Sequence, residues 1–311
     1  MERPPEAGGR KALAAKRPAL EIRARLLASL RAYFSEQDFL EVETPVRVPT
    51  PALELHIDAE PSGSAWLRTS PELHMKRLVA AGYPRLFQIG PCFRQGEKGR
   101  HHEPEYTMLE WYRAGEDSRA ILADVQAFVR RAVRDTVGRG IIPAAGGPVR
   151  VEDDWAVITV AEAFTRFAGW NPVEAYDADR FDLDLMRLVE PALPRDRPCV
   201  LTGYPAAAAA LARLDPADPR VAERWELYAG GVELANAYTE LTDPAEQERR
   251  FRDCGEVRRK MGKPDYPLDR DFLDALREGM PACGGAALGV DRLAMLLAGA
   301  DSLDAVIAFR Q

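Results

Sequence analysis

Apolar and polar positions along the chain alternate in two periods, and these divide it into helices and strands. Ile22, Leu26, Leu27, Leu30, Tyr33 and Phe34 recur at helical spacing, which predicts a helix over 20–34. FLEVETP, from Phe39, follows as a short strand closed by Pro45. Ser70 and Pro71 supply the N-cap and first position of a helix that runs to Gly82, with Glu72 in its first turn. From Arg85 the chain reads as a strand, then an arginine, Arg94, entering a long polar loop, then a second strand to Arg113. An amphipathic helix is expected over 118–138. The pattern from 139 to 197 gives helices in an insertion, and 198–204 a strand followed by an alanine-rich helical or loop filler. Two further runs, 224–229 and 232–241, flank Gly230 and Gly231 as a hairpin. Helices are expected over 244–261 and 271–278. CGGAALGVDRLAMLLAG then reads as a glycine-rich strand running into a helix, with Gly289 at the junction.

Side chains alternate in the strand that ends at Arg113, so Tyr106, Met108, Glu110 and Tyr112 share one face. Burying an unpaired carboxylate among rings costs several kcal/mol unless a cation meets it. A cationic ligand group answers for Glu110, and so does an internal partner such as Arg94 or Arg113. Glu72 can complement its helix dipole or contact a ligand. Glu233 and Glu240 are an odd number of residues apart and would face opposite ways in an unbroken strand. They serve one site only if a bulge intervenes, and Asn236 and Ala237 are the expected break. Two such carboxylates suit Mg²⁺, which is usually completed by substrate phosphates, or they are simply solvated. Gly289 allows close backbone approach, and Arg292, in the first helical turn, can reach a phosphate or stack on a base.

Composition narrows the classes. At 311 residues the chain can bury a full core. A formal charge of −7 argues against broad non-specific contact with nucleic acid, so no stable tRNA binding is expected. Cys92, Cys199, Cys254 and Cys283 form no C-x-x-C pair, which gives neither a disulfide framework nor a zinc site and fits a reducing cytoplasm. Residues 1–18 lack an apolar run, which excludes a signal peptide and predicts a flexible tail ahead of a catalytic unit spanning 19–311. No segment reads as a membrane span. His101 and His102 read as solvated loop residues rather than metal ligands.

Three segments together carry a resemblance. The helix and strand up to FLEVETP resemble motif 1 of the class II aminoacyl-tRNA synthetases, the dimer-forming element. FRQGEKGRHHEPEYTMLEWY resembles motif 2 and GGAALGVDRL resembles motif 3. VELANAYTELTDP is similar to the metal-binding segment of lysyl-tRNA synthetases. The resemblance implies an α+β class II catalytic fold, an antiparallel sheet flanked by helices, acting as a homodimer with ATP and Mg²⁺. No anticodon-binding domain is expected before Leu20. The chain therefore resembles the lysyl-tRNA synthetase paralogues that attach β-lysine to a lysine of elongation factor P. Ala287, where lysyl-tRNA synthetases usually have glycine, supports that subgroup.

The resemblance also implies roles. Arg94 would bind the α-phosphate and the attacking carboxylate, with Arg292 as the second catalytic arginine. Tyr106 and Arg292 would sandwich the adenine, with Glu103 beside the nucleotide and Leu234 and Gly289 lining its site. Glu233 and Glu240 would hold Mg²⁺, and Glu240 would also face the amino acid. Glu72, Glu110 and Tyr112, with Ser70 and Pro71 beside them and Ala287 below, would receive the two ammonium groups of a lysine-like substrate. The family usually has Arg-Asn-Glu where this chain has Arg94, Gln95 and Gly96, with Glu97 one place later. The adenine contact then falls to Glu97 or to backbone groups of Gln95 and Gly96. Two alternatives stand beside this reading: a free-standing synthetase domain that charges tRNA, and a non-catalytic paralogue that senses an amino acid.

Overall fold

The computed structural model describes residues 9–310. Its centre is an eight-stranded sheet: β1 (Leu40–Glu41), β2 (Arg85–Phe93), β3 (Glu105–Ala114), β4 (Ala156–Thr159), β5 (Cys199–Pro205), β6 (Val221–Ala229), β7 (Val232–Thr239) and β8 (Cys283–Gly289). The spatial order is β1-β2-β3-β8-β7-β6-β5-β4. The two outermost pairs, β1 with β2 and β4 with β5, are parallel, and every pairing between them is antiparallel. The helices are α1 (Arg10–Glu36), α2 (Glu72–Ala80), α3 (Ser118–Val137), α4 (Val160–Phe167), α5 (Ala178–Asp184), α6 (Pro244–Lys260), α7 (Arg270–Gly279) and α8 (Val290–Leu297).

Period-2 alternation gives the sheet two different faces. Leu109, Trp111, Trp225, Leu227, Ala237 and Leu288 point to the back, where they join the buried side chains of α1, α3 and α8 in the largest core. Tyr112 points to the front and packs with Leu73, Phe272 and Leu276 of α2 and α7. Cys199, Leu201 and Tyr228, at the other end of the front face, are covered by Phe164 and Phe181 of α4 and α5. The front is thus roofed at both ends and open in the middle, over β3, β8 and β7.

Local signals explain most boundaries. Asp117 caps α3 by accepting from the Arg119 and Ala120 amides, and Gly138 ends it in a left-handed turn at φ 72°. Gly230 and Gly231, at φ 60° and 81°, make the tight hairpin between β6 and β7. Two expectations are corrected. Helix α1 begins at Arg10 rather than Leu20, so 10–18 are not a tail: Lys16 Nζ donates to Asp304 at 2.9 Å and to the Ile307 carbonyl at 3.1 Å, tying this turn to the C-terminal segment. The first eight residues of the expected tail lie outside the described residues. Residues 139–197, read as helical, also contain the two-residue strands Ile141–Ile142 and Val149–Arg150, paired with each other, and β4, which extends the main sheet. Short strands of this kind carry too few residues for periodicity to register.

Candidate active site

Register decides which side chains are neighbours on the open middle of the front face. Met108, Glu110 and Tyr112 of β3 lie opposite Gly289, Ala287 and Gly285 of β8. Ala287 and Gly285 in turn lie opposite Asn236 and Tyr238 of β7. The pairing of β6 with β7 slips between Leu227–Ala235 and Tyr228–Glu233, leaving Leu234 as the extra residue of a bulge. A bulge is thus present between Glu233 and Glu240, at Leu234 rather than at Asn236–Ala237. It turns Glu233 to the same face as Asn236, Tyr238 and Glu240.

A cleft of about 590 Å³ opens over this row, and Arg94, Glu97, Tyr106, Glu233, Gly289 and Arg292 are among its walls. The Arg94 guanidinium stands over the Tyr106 ring, 5.1 Å from its centroid, and reaches Glu97 at 3.7 Å. Its Nε is buried without a hydrogen-bond partner among the described residues, a donor that an anionic ligand would satisfy. Tyr106 donates its hydroxyl to the Thr69 carbonyl at 2.8 Å, and burial raises its phenol well above the ordinary value. Arg292 is fixed from three sides. It donates to the Glu233 carbonyl at 2.9 Å, to the Glu233 carboxylate at 3.0 Å and to the His101 carbonyl at 3.2 Å. Its Nη2 also lies 2.7 Å from His102 Nε2. Since a guanidinium only donates, that nitrogen accepts and the ring is neutral, with its proton on Nδ1. Burial, then Arg292, lowers the His102 pKa in keeping with this tautomer.

The polar loop between β2 and β3 supplies the rest of this wall. Glu97, His101, His102 and Glu103 line the cleft, whereas Gln95 and Gly96 do not. Gln95 donates its amide to the Asp58 carbonyl at 2.7 Å, and Gly96 makes a left-handed turn at φ 76°. Glu103 is ion-paired with Arg310. The two histidines keep the solvent exposure read from sequence, partial at His101, and also line the wall of the open cleft. The adenine sandwich of Tyr106 and Arg292 is not preformed: Arg94 covers the tyrosine, and Arg292 is held by Glu233 and the histidine pair.

Beyond Ala287 the face carries a buried cluster of acids. Glu110 accepts from the Ser70 hydroxyl at 2.8 Å and from the Tyr112 hydroxyl at 2.6 Å, so neither Arg94 nor Arg113 neutralises it. Arg113 is spent on Asp124 at 2.9 Å. The Ser70 hydroxyl also accepts from the Glu72 amide at 2.9 Å, which caps α2 one residue later than the sequence pattern places it, with Pro71 at the cap. Glu72 and Glu240 meet across Lys76, whose Nζ lies 2.5 Å from each. Burial works against the Lys76 ammonium, but Glu240 and Glu72 outweigh it and raise its pKa. Burial, then the neighbouring Glu72 charge, pushes the Glu110 carboxyl up to about 8. Burial likewise lifts Glu240 to about 8 against the pull of Lys76, and the acids titrate together. The fit is close: a Cβ at Gly285 would stand 2.3 Å from the Tyr112 ring and 2.5 Å from the Glu240 carboxylate.

The structure therefore gathers the expected residues into an open cleft and an adjoining buried acidic cluster. Glu233 belongs to the open cleft, while Glu240 is committed to Lys76 in the pocket and is absent from the cleft wall. Sequence reasoning missed Lys76, Asn236 and the wall histidines. Lys76 had a signal: it stands four residues after Glu72 on one helix, the spacing of an ion pair.

A mostly antiparallel sheet with motif 2 and motif 3 arginines over its open face, backed by three helices, defines the catalytic domain of a class II aminoacyl-tRNA synthetase. The family model of the tRNA synthetases class II (D, K and N) matches residues 13–311, and the chain belongs to that family. Among curated proteins it is similar to the elongation factor P–(R)-beta-lysine ligase of Vibrio cholerae serotype O1, 39% identical over 309 residues that cover 93% of this chain and 94% of that protein. The protein of the same name from Yersinia enterocolitica is 37% identical, covering 92% and 93%. That from Histophilus somni is 38% identical, again covering 92% and 93%.

Proposed function

We infer that this chain is an ATP-dependent, AMP-forming ligase that activates (R)-β-lysine, or lysine, and transfers it to the ε-amine of a lysine on elongation factor P. The observation that carries this reading is the pair of compartments on one sheet face. A cleft in which Arg94 and Arg292 stand with Glu233 fits nucleotide phosphates and a cation they carry, and an adjoining buried cluster with more acids than cations fits a small molecule bearing two ammonium groups. Ala287, between Glu110 and Asn236, marks the boundary where the substrate carboxylate would emerge toward the nucleotide.

In the first step a substrate carboxylate oxygen attacks the α-phosphorus of ATP. The bond to the pyrophosphate bridging oxygen breaks, and pyrophosphate leaves. Arg94, whose buried Nε has no hydrogen-bond partner among the described residues, would orient the α-phosphate and offset the charge that builds on it. Arg292 and Glu97 would bound the nucleotide. Glu233 would be the protein carboxylate toward a nucleotide-borne magnesium ion, whose other ligands would be phosphate oxygens and water, while the arginines would meet the phosphates. When bound, the ion would neutralise phosphate charge. In the second step the deprotonated acceptor amine attacks the acyl carbon, the C–O bond to AMP breaks and an amide forms. Alignment of the reacting groups in adjoining compartments supplies much of the acceleration. As in the family, α1 and β1 would form the homodimer contact.

The test is amino-acid-dependent exchange of labelled pyrophosphate into ATP, followed by transfer of labelled β-lysine or lysine to elongation factor P or to tRNA. Exchange with transfer to the protein alone is expected. Transfer to tRNA alone would replace this reading with a free-standing synthetase, and no exchange with either amino acid would leave an amino-acid-binding paralogue.

A further inference from the structure

Three carboxylates and one ammonium are enclosed together below the cleft. Glu72 and Lys76 come from α2, Glu110 from β3 and Glu240 from the residue after β7. Lys76 is wholly inaccessible, and Glu110 and Glu240 are each only 2% exposed. Lys76 spans Glu72 and Glu240, while Glu110 is left to two neutral hydroxyls. The other titratable groups around the cluster are Cys92 on β2, Tyr112 on β3, Tyr238 on β7, Cys283 on β8 and Glu54 on the preceding loop; Arg224, over the Tyr238 ring, and Arg94, near Glu54, make no ion pair with Glu72, Glu110 or Glu240 among the described residues. With all three acids ionised, as a doubly cationic substrate would make them, the cluster carries a formal charge of minus two; without it, burial keeps Glu110 and Glu240 largely protonated below about pH 8.

A purely structural pin would not be built this way. One glutamate suffices to neutralise a buried lysine, and a further buried acid without a cation destabilises the ligand-free fold. The excess makes sense as a recognition surface completed by the substrate. We propose that Lys76 is a specificity-determining residue: a resident ammonium that sets the pocket charge so that a substrate bearing two ammonium groups balances it. A monoamino acid leaves one acid uncompensated. The role is electrostatic and positioning, since Lys76 touches the acids and not the reacting atoms.

This inference rests on the functional reading above and deepens it. Its test uses the full chain in pyrophosphate exchange with β-lysine or lysine, between pH 6.5 and 8.5, comparing wild type with Lys76→Met and Lys76→Arg. With Lys76→Met the bound complex holds two ammonium groups against three acids, so one carboxyl must keep a proton. The ratio of variant to wild-type KM therefore climbs with pH, by at least about fivefold across the range, whereas the kcat ratio stays nearly flat. Lys76→Arg restores a pH-independent KM ratio. A KM ratio for Lys76→Met that does not change with pH, or a loss confined to kcat, overturns the proposal.

If Lys76→Met gives no cooperative thermal transition, the double variant Lys76→Met/Glu72→Gln removes both partners and keeps a charge of minus two. Its KM ratio should then stay flat with pH, and a climbing ratio overturns the proposal. Wild-type protein that shows no exchange with either amino acid would sink the functional reading itself, a result distinct from a flat ratio on active enzyme.

Discussion

Lys76 and Glu240 meet at 2.5 Å in the interior, one from the middle of α2 and the other from just beyond β7. That contact divides the candidate site. It withdraws Glu240 from the nucleotide cleft and leaves Glu233 as the carboxylate beside Arg292.

Glu233→Gln and Glu240→Gln should consequently fail in different ways. Glu233→Gln should lower kcat for pyrophosphate exchange and raise the KM for ATP, about 10²-fold in combination, a loss of the size seen when one group stabilising charge in the transition state is removed. Glu240→Gln should chiefly raise the KM for the amino acid. Steady-state exchange kinetics with each substrate varied in turn separates the two, and full activity in either variant would remove that residue from the site.

Stability of the ligand-free protein should fall as pH rises from about 5 to 8. Glu110 and Glu240 have folded-state carboxyls raised to about 8 by burial. The unfolded chain releases these protons near the ordinary value of about 4.3. Across that window the folded state binds more protons, so each unit of rising pH favours unfolding. Asp58 and Glu246, whose carboxyls are lowered, finish titrating below it, while the lowered pKa values of His74, His101 and His102 act the other way as pH rises to about 6.5, so the decline is set by the two glutamates above that point. Thermal midpoints measured across this range should decline less steeply for Glu110→Gln. Equal slopes would show that these carboxyls are already ionised.

Bound diamino acid should reverse that trend, because its ammonium groups need ionised partners. Affinity should increase with pH up to about 8, by at most roughly tenfold per pH unit for each proton released. Calorimetric titration in buffers of different ionisation enthalpy would detect the released protons, and heats independent of buffer would count against it.

Gly285→Ala should disable the amino-acid pocket. The added methyl overlaps the Tyr112 ring and the Glu240 carboxylate. Overpacking of this kind costs roughly 1–3 kcal/mol of stability, and displacement of both groups should weaken amino-acid use at least tenfold. A variant with unchanged KM for the amino acid would mean that the pocket walls yield freely.

Arg258→Ala should release the segment ahead of the site. The buried guanidinium donates to the Glu54 carbonyl at 2.7 Å, the Ile57 carbonyl at 3.0 Å, the Pro264 carbonyl at 3.1 Å and Asp58 at 2.7 Å, and it stacks on Tyr266. Removing it strands several buried acceptors, a loss of roughly 3–5 kcal/mol. Limited proteolysis should then cut near 54–58, where the wild type resists, and equal resistance would contradict the assignment.

What the sequence determined by itself is what depends on near neighbours along the chain. Periodicity located the main strands and helices, because 2.0 and 3.6 residue repeats are written locally. The glycine pair marked its hairpin, and the motifs around Arg94 and Arg292 marked the nucleotide side. The requirement for a bulge between Glu233 and Glu240 followed from parity alone. Its position at Leu234 did not, since only pairing with β6 decides where the slip falls. Nor could the sequence show that Glu110 lacks an arginine, that His102 braces Arg292, or that Lys76 neutralises acids from both α2 and β7. Those facts depend on which remote segments share an enclosed volume, and only the packed tertiary structure sets that.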